Sequence, residues 1–266
     1  MESRSQSTRM PVLFVGHGSP MNAIQENTFS QSWAQLGQQL PRPKAVLCIS
    51  AHRLTEGTAV TAMEAPRTIH DFYGFPDKLY QVSYPAPGAP DLARQIAGTM
   101  EAAKARLDEG WGLDHGTWSV LRHVYPQADV PILQLSLDRS LSPSEHYALA
   151  RQLRPLRDQG ILIVGSGNVV HNLQRMSPGA RAFDWATQFD EWLSARLLEG
   201  DHRALIDYQE LGPLARMAHP TPDHYWPLMY AIAVQDVGEP LSFFCAQTVY
   251  GSISMRGVVI GAAETT

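Results

Sequence analysis

Three apolar stretches of strand length in this chain each run into a turn region that carries a histidine. They consist mainly of valine, isoleucine, leucine and phenylalanine, and glycines break the first and the third, which favours short buried strands that end abruptly. The stretches are 12–15, 45–51 and 161–165, and the histidines that follow them are His17, His52 and His171. The sequence therefore predicts three strands that each deliver an imidazole at or soon after their carboxyl ends.

The segment between the first two strands predicts how they are arranged. Trp33, Leu36 and Leu40 recur at helical spacing, Ser30 or Thr28 can cap the helix, and Pro41 ends it. Strand, helix and strand within about 40 residues form a βαβ unit, which favours a parallel sheet. Ligands of open α/β sheets bind beyond the carboxyl ends of the strands. We therefore expect a single α/β domain with a mostly parallel central sheet flanked by helices, and a metal site at the carboxyl ends of the strands.

The remaining elements are read from periodicity, capping and turn residues. Ser142 to Glu145 has the form of a capping box, and Thr221 with Pro222 predicts the start of another helix, with His224 in its first turn. A polar stretch at 199–220 predicts irregular structure. The further predicted strands are 58–63, 130–137, 241–249 and 252–260, and the further predicted helices are 90–106, 117–124 and 185–198.

A long segment rich in proline, glycine and aromatic residues, 64–90, separates the strand 58–63 from the next helix. Loops of more than about 15 residues in a compact domain are usually functional. This one carries His70, Tyr73 and Phe75. We expect it to form a wall or lid of the site, with these three residues binding the substrate.

Length and charge exclude several classes of protein. The chain has 266 residues, no internal repeat and no linker, so we expect one domain over 10–262 after a disordered tail at 1–9. A net charge of -5 argues against nucleic acid as a partner, and no apolar run is long enough to span a membrane. The two cysteines lie in apolar stretches, as buried reduced thiols do, which favours a cytoplasmic location.

The histidines are the candidate functional residues. Neutral imidazole is a good ligand for Zn(II) or Fe(II), and a rigid strand end holds a ligand in place, so His17 and His52 are the first candidates. His171 is a third ligand or an acid/base, His224 can complete the set, and His115 lies further out, beside glycine. The alternative interpretation is that the strand-end histidines are hydrogen-bonded turn residues. Asp223 competes with His224 as a ligand.

Seven spaced motifs resemble the DOPA 4,5-dioxygenase branch of the class III extradiol ring-cleavage dioxygenases. They cover nearly the whole chain, from Met10 to Gly261. The motifs are Gly-His17-Gly-Ser-Pro-Met-Asn, Ser-Ala-His52, Thr-Ile-His70-Asp-Phe-Tyr-Gly-Phe-Pro, Tyr-Pro-Ala-Pro-Gly, Gly-Leu-Asp-His115-Gly-Thr-Trp, Ser-Gly-Asn-Val-Val-His171-Asn and Pro-Thr-Pro-Asp-His224-Tyr.

The resemblance implies a mononuclear non-haem metal, bound by the residues that match His17, His52 and His224. It implies that His171 is an acid/base or an additional ligand and that His115 contacts substrate or oxygen. Histidine at 224 departs from the common pattern of two histidines and one carboxylate, so both Fe(II) and Zn(II) are open. The implied reaction inserts both atoms of O2 into a catechol, such as DOPA, next to the diol, and gives a muconic semialdehyde.

Other functions remain open at this point. A Gly-His-Gly-Ser turn after a strand also resembles tetrapyrrole metal chelatases, although these do not explain the motifs at His171 and His224. A zinc-dependent hydrolase would use a histidine-rich site to activate water. A weaker alternative is a protein that binds a metal without turnover. The sequence does not indicate the oligomeric state.

Overall fold

The computed structural model describes residues 9–100 and 103–261. Its main sheet has eight strands in the order β4-β3-β5-β2-β6-β1-β10-β7, and β8 and β9 form a separate two-stranded sheet. The strands are β1 (Val12–Gly16), β2 (Ala45–Thr55), β3 (Ala59–Thr61), β4 (Arg106–Asp108), β5 (Ile132–Asp138), β6 (Ile161–Gly167), β7 (Leu241–Phe244), β8 (Thr248–Val249), β9 (Ile253–Ser254) and β10 (Gly257–Ile260).

The four central strands, β5, β2, β6 and β1, are parallel. Val12 of β1 pairs with Ile163 of β6, and Ala45 of β2 pairs with Ile161 of β6. The flanks are mixed, because β10 pairs antiparallel with β1, and β3 pairs antiparallel with β5. Burial on both faces explains the continuous apolar runs of the central strands. The expected single α/β domain with a mostly parallel sheet is confirmed.

Helices cover both faces of this sheet. The helices are α1 (Thr28–Gln39), α2 (Asp77–Tyr80), α3 (Pro90–Thr99), α4 (His115–Val124), α5 (Pro143–Ala150), α6 (Pro155–Asp158), α7 (Asp184–Glu199), α8 (His202–Ile206), α9 (Pro213–Ala218) and α10 (Trp226–Ala233). Val12 and Phe14 of β1 contribute to the core on the side of α5, α7 and α10. Leu13 and Val15 contribute to the core on the opposite side, with α1 and α4. This alternation is the period-two pattern of a strand buried on both faces.

The predicted N-terminal cap is confirmed for helix α5, whereas helix α1 is capped by a different residue from those expected. Ser142 and Glu145 form the predicted capping box of α5. Helix α1 is capped by Asn27, whose side chain accepts from the N–H groups of Phe29 and Ser30, instead of by Thr28 or Ser30. Asparagine is among the best N-cap residues, and Ser30 completes the box three positions later.

Several predicted bounds are wrong. The helix predicted at 90–106 ends at Thr99, and its last predicted residue begins β4; residues 101–102 lie outside the described ranges. The stretch 199–220 is largely helical, in α8, a 3₁₀ turn and α9. The two long strands predicted at 241–260 are four short ones, separated by turns near Cys245 and Tyr250, which both adopt positive φ.

The predicted tail is anchored at its last residue. Arg9 forms ion pairs with Asp158 and Asp236, so it belongs to the folded part of the chain. Residues 1–8, and residue 262 of the predicted domain, lie outside the described ranges. No helix in the described part of the chain is both long enough and apolar enough to cross a membrane.

Candidate metal centre

Three histidines from distant parts of the chain form a nearly equilateral triangle. The ring centroids lie 5.0 Å apart for His17 and His52, 5.2 Å for His17 and His224, and 5.0 Å for His52 and His224. Imidazoles that share one metal ion at about 2.1 Å place their ring centroids about 5 Å apart. The ring spacing of the triangle is therefore compatible with three ligands around one ion.

Two of these histidines are positioned by the parallel strands. His17 follows β1 directly, and its backbone N–H donates to the carbonyl oxygen of Gly167 at the end of β6 (3.1 Å). His52 lies inside β2, where the register against β5 shifts between Ile49 and Leu54. A bulge of this kind re-aims side chains next to active sites. The sequence places His52 one residue beyond the strand, whereas the irregular strand continues to Thr55.

His224 reaches the triangle from a turn. Helix α10 begins at Trp226 with Pro227 in its first turn, so the predicted helix start at Thr221 and Pro222 is wrong, and His224 precedes the helix. Its carbonyl oxygen accepts from the N–H of Asn168 (3.0 Å). A Cβ added at Gly167 would overlap with this carbonyl. Glycine at 167 therefore lets the turn approach β6 closely enough to present His224.

Hydrogen bonds determine which nitrogen of His17 is free. The hydroxyl of Ser166 donates to the carbonyl oxygen of Gly116 (2.6 Å), so its oxygen can only accept from Nδ1–H of His17 (3.0 Å). The proton on Nδ1 leaves a lone pair on Nε2. This Nε2 lies 3.1 Å from Nε2 of His52. Such outer hydrogen bonds are the usual means by which proteins orient metal-binding imidazoles.

Carboxylates fix two further rings in the same way. Asp223 accepts from Nδ1 of His224, and Asp71 accepts from Nδ1 of His115 (2.9 Å). In both histidines the carboxylate therefore engages Nδ1 and leaves Nε2 as the nitrogen available to other partners. Burial would raise the pKa of Asp71, but its hydrogen bonds from His115 outweigh that effect and lower it. The carboxylate is thus held in its charged, accepting form.

Burial keeps four of these rings neutral, those of His17, His52, His171 and His224. It lowers the pKa of His17 and of His224 well below the ordinary value, and the neighbouring imidazoles add to the effect. Burial and the nearby His115 lower the pKa of His52 to about 3, and burial lowers that of His171 to about 4. At neutral pH the site therefore offers uncharged nitrogen donors, which is the form that binds a metal.

The donor set fits a metal ion. Two Nε2 atoms at 3.1 Å face each other, close to the roughly 3.3 Å between neighbouring ligand nitrogens of a tetrahedral zinc site. Among the described residues, the three histidines whose possible ligand atoms lie within 4.8 Å of one another are His17, His52 and His115. His115 is predicted to lie outside the ligand set, but it belongs to the same cluster, as the first residue of α4 after its cap Asp114.

His171 stacks on His224, with ring centroids 3.4 Å apart and planes at 5°. It lies four residues beyond β6, not directly at the strand end. Its backbone N–H donates to the carbonyl of Ala218 (2.9 Å), and it forms a β-bridge with Ile253. These contacts hold the ring beside the triangle.

The histidines lie at one side of a cavity of about 280 Å³. Its other walls are mainly apolar: Pro20, Phe72, Phe75, Leu173, Met176, Val249, Tyr250 and Ile253. Such a mixture of apolar walls and a few convergent polar groups is typical of small-molecule sites. Of the three loop residues predicted to bind substrate, Phe75 lines the cavity.

The other two loop residues lie elsewhere. Tyr73 is 92% exposed, and His70 directs Nε2 at the carbonyl oxygen of Val82 (3.0 Å). Neither is among the residues that line the cavity. Phe72, the residue before Tyr73, lines the cavity instead. The residues contributed by 173–176 and 249–253 gave no sequence signal, because isolated apolar residues in irregular segments do not reveal what they face.

The fold and the cluster define an α/β protein that can hold a single metal ion at the carboxyl ends of its central strands. Comparison with known families narrows this class. The family model described as "Catalytic LigB subunit of aromatic ring-opening dioxygenase" matches residues 10–253. The chain therefore belongs to this family of aromatic ring-opening dioxygenases, as its motifs predict.

Relatives match over nearly the full length. The chain is 47% identical to the 4,5-DOPA dioxygenase extradiol of Escherichia coli strain K12, over 96% of each chain. It is 38% identical to the 4,5-DOPA dioxygenase extradiol of Beta vulgaris, over 86% of this chain and 88% of the relative. The crystal structure of the uncharacterized protein JW3007 from Escherichia coli K12 superposes with a TM-score of 0.84 at 41% identity, over 95% of this chain and all of the other.

Proposed function

We propose that this protein is an extradiol dioxygenase that opens the ring of a catechol, such as DOPA, beside the diol. Both atoms of O2 would enter the product, a muconic semialdehyde. The observation that carries the proposal is the equilateral histidine triangle at the base of an aromatic-walled cavity. The names of the relatives support the same reaction class.

In this proposal His17, His52 and His224 hold one divalent metal ion, with His171 as an additional ligand or an acid/base. Fe(II) is the metal proposed for activity, because zinc has no redox chemistry and would fill the same nitrogen site without reducing oxygen. When bound, the ion supplies open positions for the catechol oxygens and O2, and it lowers the pKa of the diol.

The proton chemistry falls to the two neighbouring imidazoles. His171 is neutral at pH 7, because burial lowers its pKa to about 4, so it can accept a proton from a catechol hydroxyl. The ring of His115 is held by Asp71 through Nδ1, which leaves Nε2 to assist proton transfer at the reacting oxygen atoms. Phe72 and Phe75 lie edge to face, with centroids 5.3 Å apart, and offer the catechol ring an apolar wall.

The test is reconstitution of metal-stripped protein with Fe(II) under anaerobic conditions, followed by air and a catechol. We expect oxygen uptake and a yellow semialdehyde to appear together, with one O2 consumed per ring opened. A parallel sample loaded with Zn(II) should bind the metal and remain inactive. His17→Ala should abolish both signals.

Two outcomes would overturn the proposal. One is an Fe(II)-loaded protein that opens no catechol in a panel of substituted rings. The other is a zinc-loaded protein that hydrolyses esters or amides at the same site, which would support the hydrolase alternative.

A further inference from the structure

Three fully buried polar side chains form a hydrogen-bonded trio: Ser50 of β2, Asp114 before α4 and Gln134 of β5. The carboxylate of Asp114 accepts from the hydroxyl of Ser50 (2.7 Å) and from the side-chain amide of Gln134 (2.7 Å). In return, the backbone N–H of Asp114 donates to the amide oxygen of Gln134 (2.8 Å). Every side-chain oxygen and nitrogen of the trio therefore has a partner.

The trio meets the histidines at the first turn of α4. Asp114 caps this helix by accepting from the backbone N–H of Thr117 (3.2 Å), and His115 is the first helical residue. The hydroxyl oxygen of Ser50 accepts from the backbone N–H of His52 (3.3 Å). One carboxylate is therefore bonded both to the helix that carries His115 and to the strand segment that carries His52.

Gly116 shows how closely this turn lies against the strands. A Cβ added at Gly116 would lie 2.5 Å from Oγ of Ser50 and 3.1 Å from Cδ2 of His52. The carbonyl oxygen of Gly116 accepts from the hydroxyl of Ser166 (2.6 Å), whose oxygen accepts from Nδ1 of His17 (3.0 Å). The first turn of α4 therefore contacts the residues that support His17 and His52, in addition to carrying His115.

A buried carboxylate is a costly way to begin a helix. Within the described part of the chain, the groups that donate to the Asp114 carboxylate are a hydroxyl, an amide and a backbone N–H, and none of them is charged. Burying a charge among neutral partners is unfavourable, and serine or asparagine would cap the helix equally well. What the carboxylate adds is the reciprocal bond to Gln134, which ties the start of α4 to the sheet.

We propose that Asp114 and Gln134 are positioning residues for ring opening, whose reciprocal hydrogen bonds fix the first turn of α4 and so place the ring of His115 against His52. The inference rests on the proposed function, in which His115 assists proton transfer. The ring centroids of His115 and His52 lie 3.9 Å apart. Asp71 orients the ring of His115 through Nδ1, whereas the trio places the helix that carries the ring. A displacement of about 1 Å at such a site can cost about 100-fold in rate.

The experiment moves the carboxylate from one partner to the other. Asp114→Asn leaves two N–H donors facing each other, whichever way the amide of Gln134 is turned, and Gln134→Glu sets two carboxylates against each other. Each single substitution should lower kcat by about tenfold or more. In the double variant Asp114→Asn/Gln134→Glu, an amide again faces a carboxylate, with the same net charge. Its kcat should return to within about threefold of the wild-type value, a coupling that independent substitutions do not show.

Binding of a catechol distinguishes positioning from a general loss of structure. Under anaerobic conditions, 4-nitrocatechol added to the Fe(II)-loaded protein reports binding through its absorption spectrum. Its dissociation constant, the KM for the substrate catechol and the iron content should each stay within about twofold of wild type in Asp114→Asn, because the loss concerns the transition state and not binding.

Glu239→Gln is the matched control for loss of a buried carboxylate partner. Glu239 accepts from the buried guanidinium of Arg157 (2.7 Å), which also donates to the carbonyl oxygen of Met10, at the opposite end of β1 from the histidines. This substitution should lower the free energy of unfolding in urea and leave kcat unchanged.

The outcomes separate this inference from the function beneath it. A wild-type protein that opens no catechol would overturn the proposed function. With an active wild type, a normal kcat in Asp114→Asn, an equal loss of kcat in Glu239→Gln, or a loss of iron or of 4-nitrocatechol binding in Asp114→Asn would overturn the inference alone. If a single variant fails to fold, the double variant decides. An active double variant supports the inference, and an inactive or unfolded one overturns it, because restoring the pairing would then not restore the site.

Discussion

The carboxylate of Asp71 holds His115 at two points. One oxygen accepts from the backbone N–H of His115 (2.8 Å), and the other accepts from its Nδ1 (2.9 Å). The second oxygen also lies 3.5 Å from Nδ1 of His52. Asp71 belongs to the long loop after β3, so this single side chain joins the wall of the cavity to the histidine cluster and fixes the orientation of His115.

Asp71→Asn should therefore impair turnover more than stability. An amide can accept through its oxygen at only one of the two points, and its NH2 group opposes the other donor. Loss of such an orienting partner typically costs about 10–100-fold in activity or metal affinity. The measurement is kcat at saturating Fe(II), with metal content determined on the same sample.

Asp91→Asn is the matched control for this substitution. Asp91 lies in the first turn of α3 and is paired with Arg94 at the surface. It should leave kcat unchanged, because exposed ion pairs contribute little. If Asp71→Asn also kept full activity, the orienting role assigned to Asp71 would be wrong.

The histidines that bind the metal can be distinguished from those that only act in turnover by substituting one histidine at a time. We expect His17→Ala, His52→Ala and His224→Ala each to lose metal on dialysis, because each removes a corner of the triangle. His115→Ala should retain metal but lose activity. Metal content after dialysis, measured by elemental analysis, decides between the two behaviours.

His202→Ala is the control, since His202 lies away from the cluster and bonds Tyr147 and Gln235. Retention of metal by His224→Ala together with its loss by His115→Ala would reverse the assignment. The ion would then be held by His17, His52 and His115, whose ligand atoms also lie close together.

The central sheet was predictable because its strands are buried on both faces and appear as continuous apolar runs. The same strand ends brought His17 and His52 together, as expected, since β1 and β2 both flank β6. The edges of the sheet were not predictable in the same way. Short strands such as β4, with residues exposed, lack a period long enough to distinguish them from loops.

The rest of the site depends on tertiary contacts that no local pattern encodes. The sequence predicts His224 near the others through a helix start at Pro222, but the helix begins at Trp226, and Gly167 of β6 lets the preceding turn approach. Asp71 was visible in the sequence without any indication of its partner, because His115 lies 44 residues away. Within the loop, Phe72 lines the cavity and the predicted Tyr73 does not, since sequence alone does not show which face of an irregular segment turns inward.

Two glycine substitutions should have opposite effects on the free energy of unfolding. Gly167→Ala would place a Cβ against the carbonyl oxygen of His224, and forced shifts of this kind cost about 1–3 kcal/mol. Gly98→Ala adds a methyl group to an exposed position of α3 with no atom nearby, and should stabilise the protein by about 0.5–1 kcal/mol. Urea denaturation of the metal-free proteins measures both. If Gly167→Ala left the free energy of unfolding unchanged, the turn before α10 would have room to move.

The metal-free protein should lose stability as the pH falls below 6.5, and one histidine outside the cluster, His146, allows this to be tested. His146 is buried in α5, its Nδ1 lies 3.0 Å from the hydroxyl of Tyr230, and burial lowers its pKa to about 4. Between that value and the ordinary pKa of about 6.5, the unfolded chain binds a proton at this residue that the folded chain does not. Its contribution is therefore complete above pH 6.5 and declines toward pH 4. Between pH 7 and pH 5 the loss of free energy of unfolding from this residue amounts to about 1–2 kcal/mol.

His146→Asn should flatten the pH dependence of the free energy of unfolding by that amount, while His202→Asn provides the comparison at a less buried histidine. Parallel curves for His146→Asn and the wild type would show that folding leaves the pKa of His146 unchanged, against the lowered value expected from its burial.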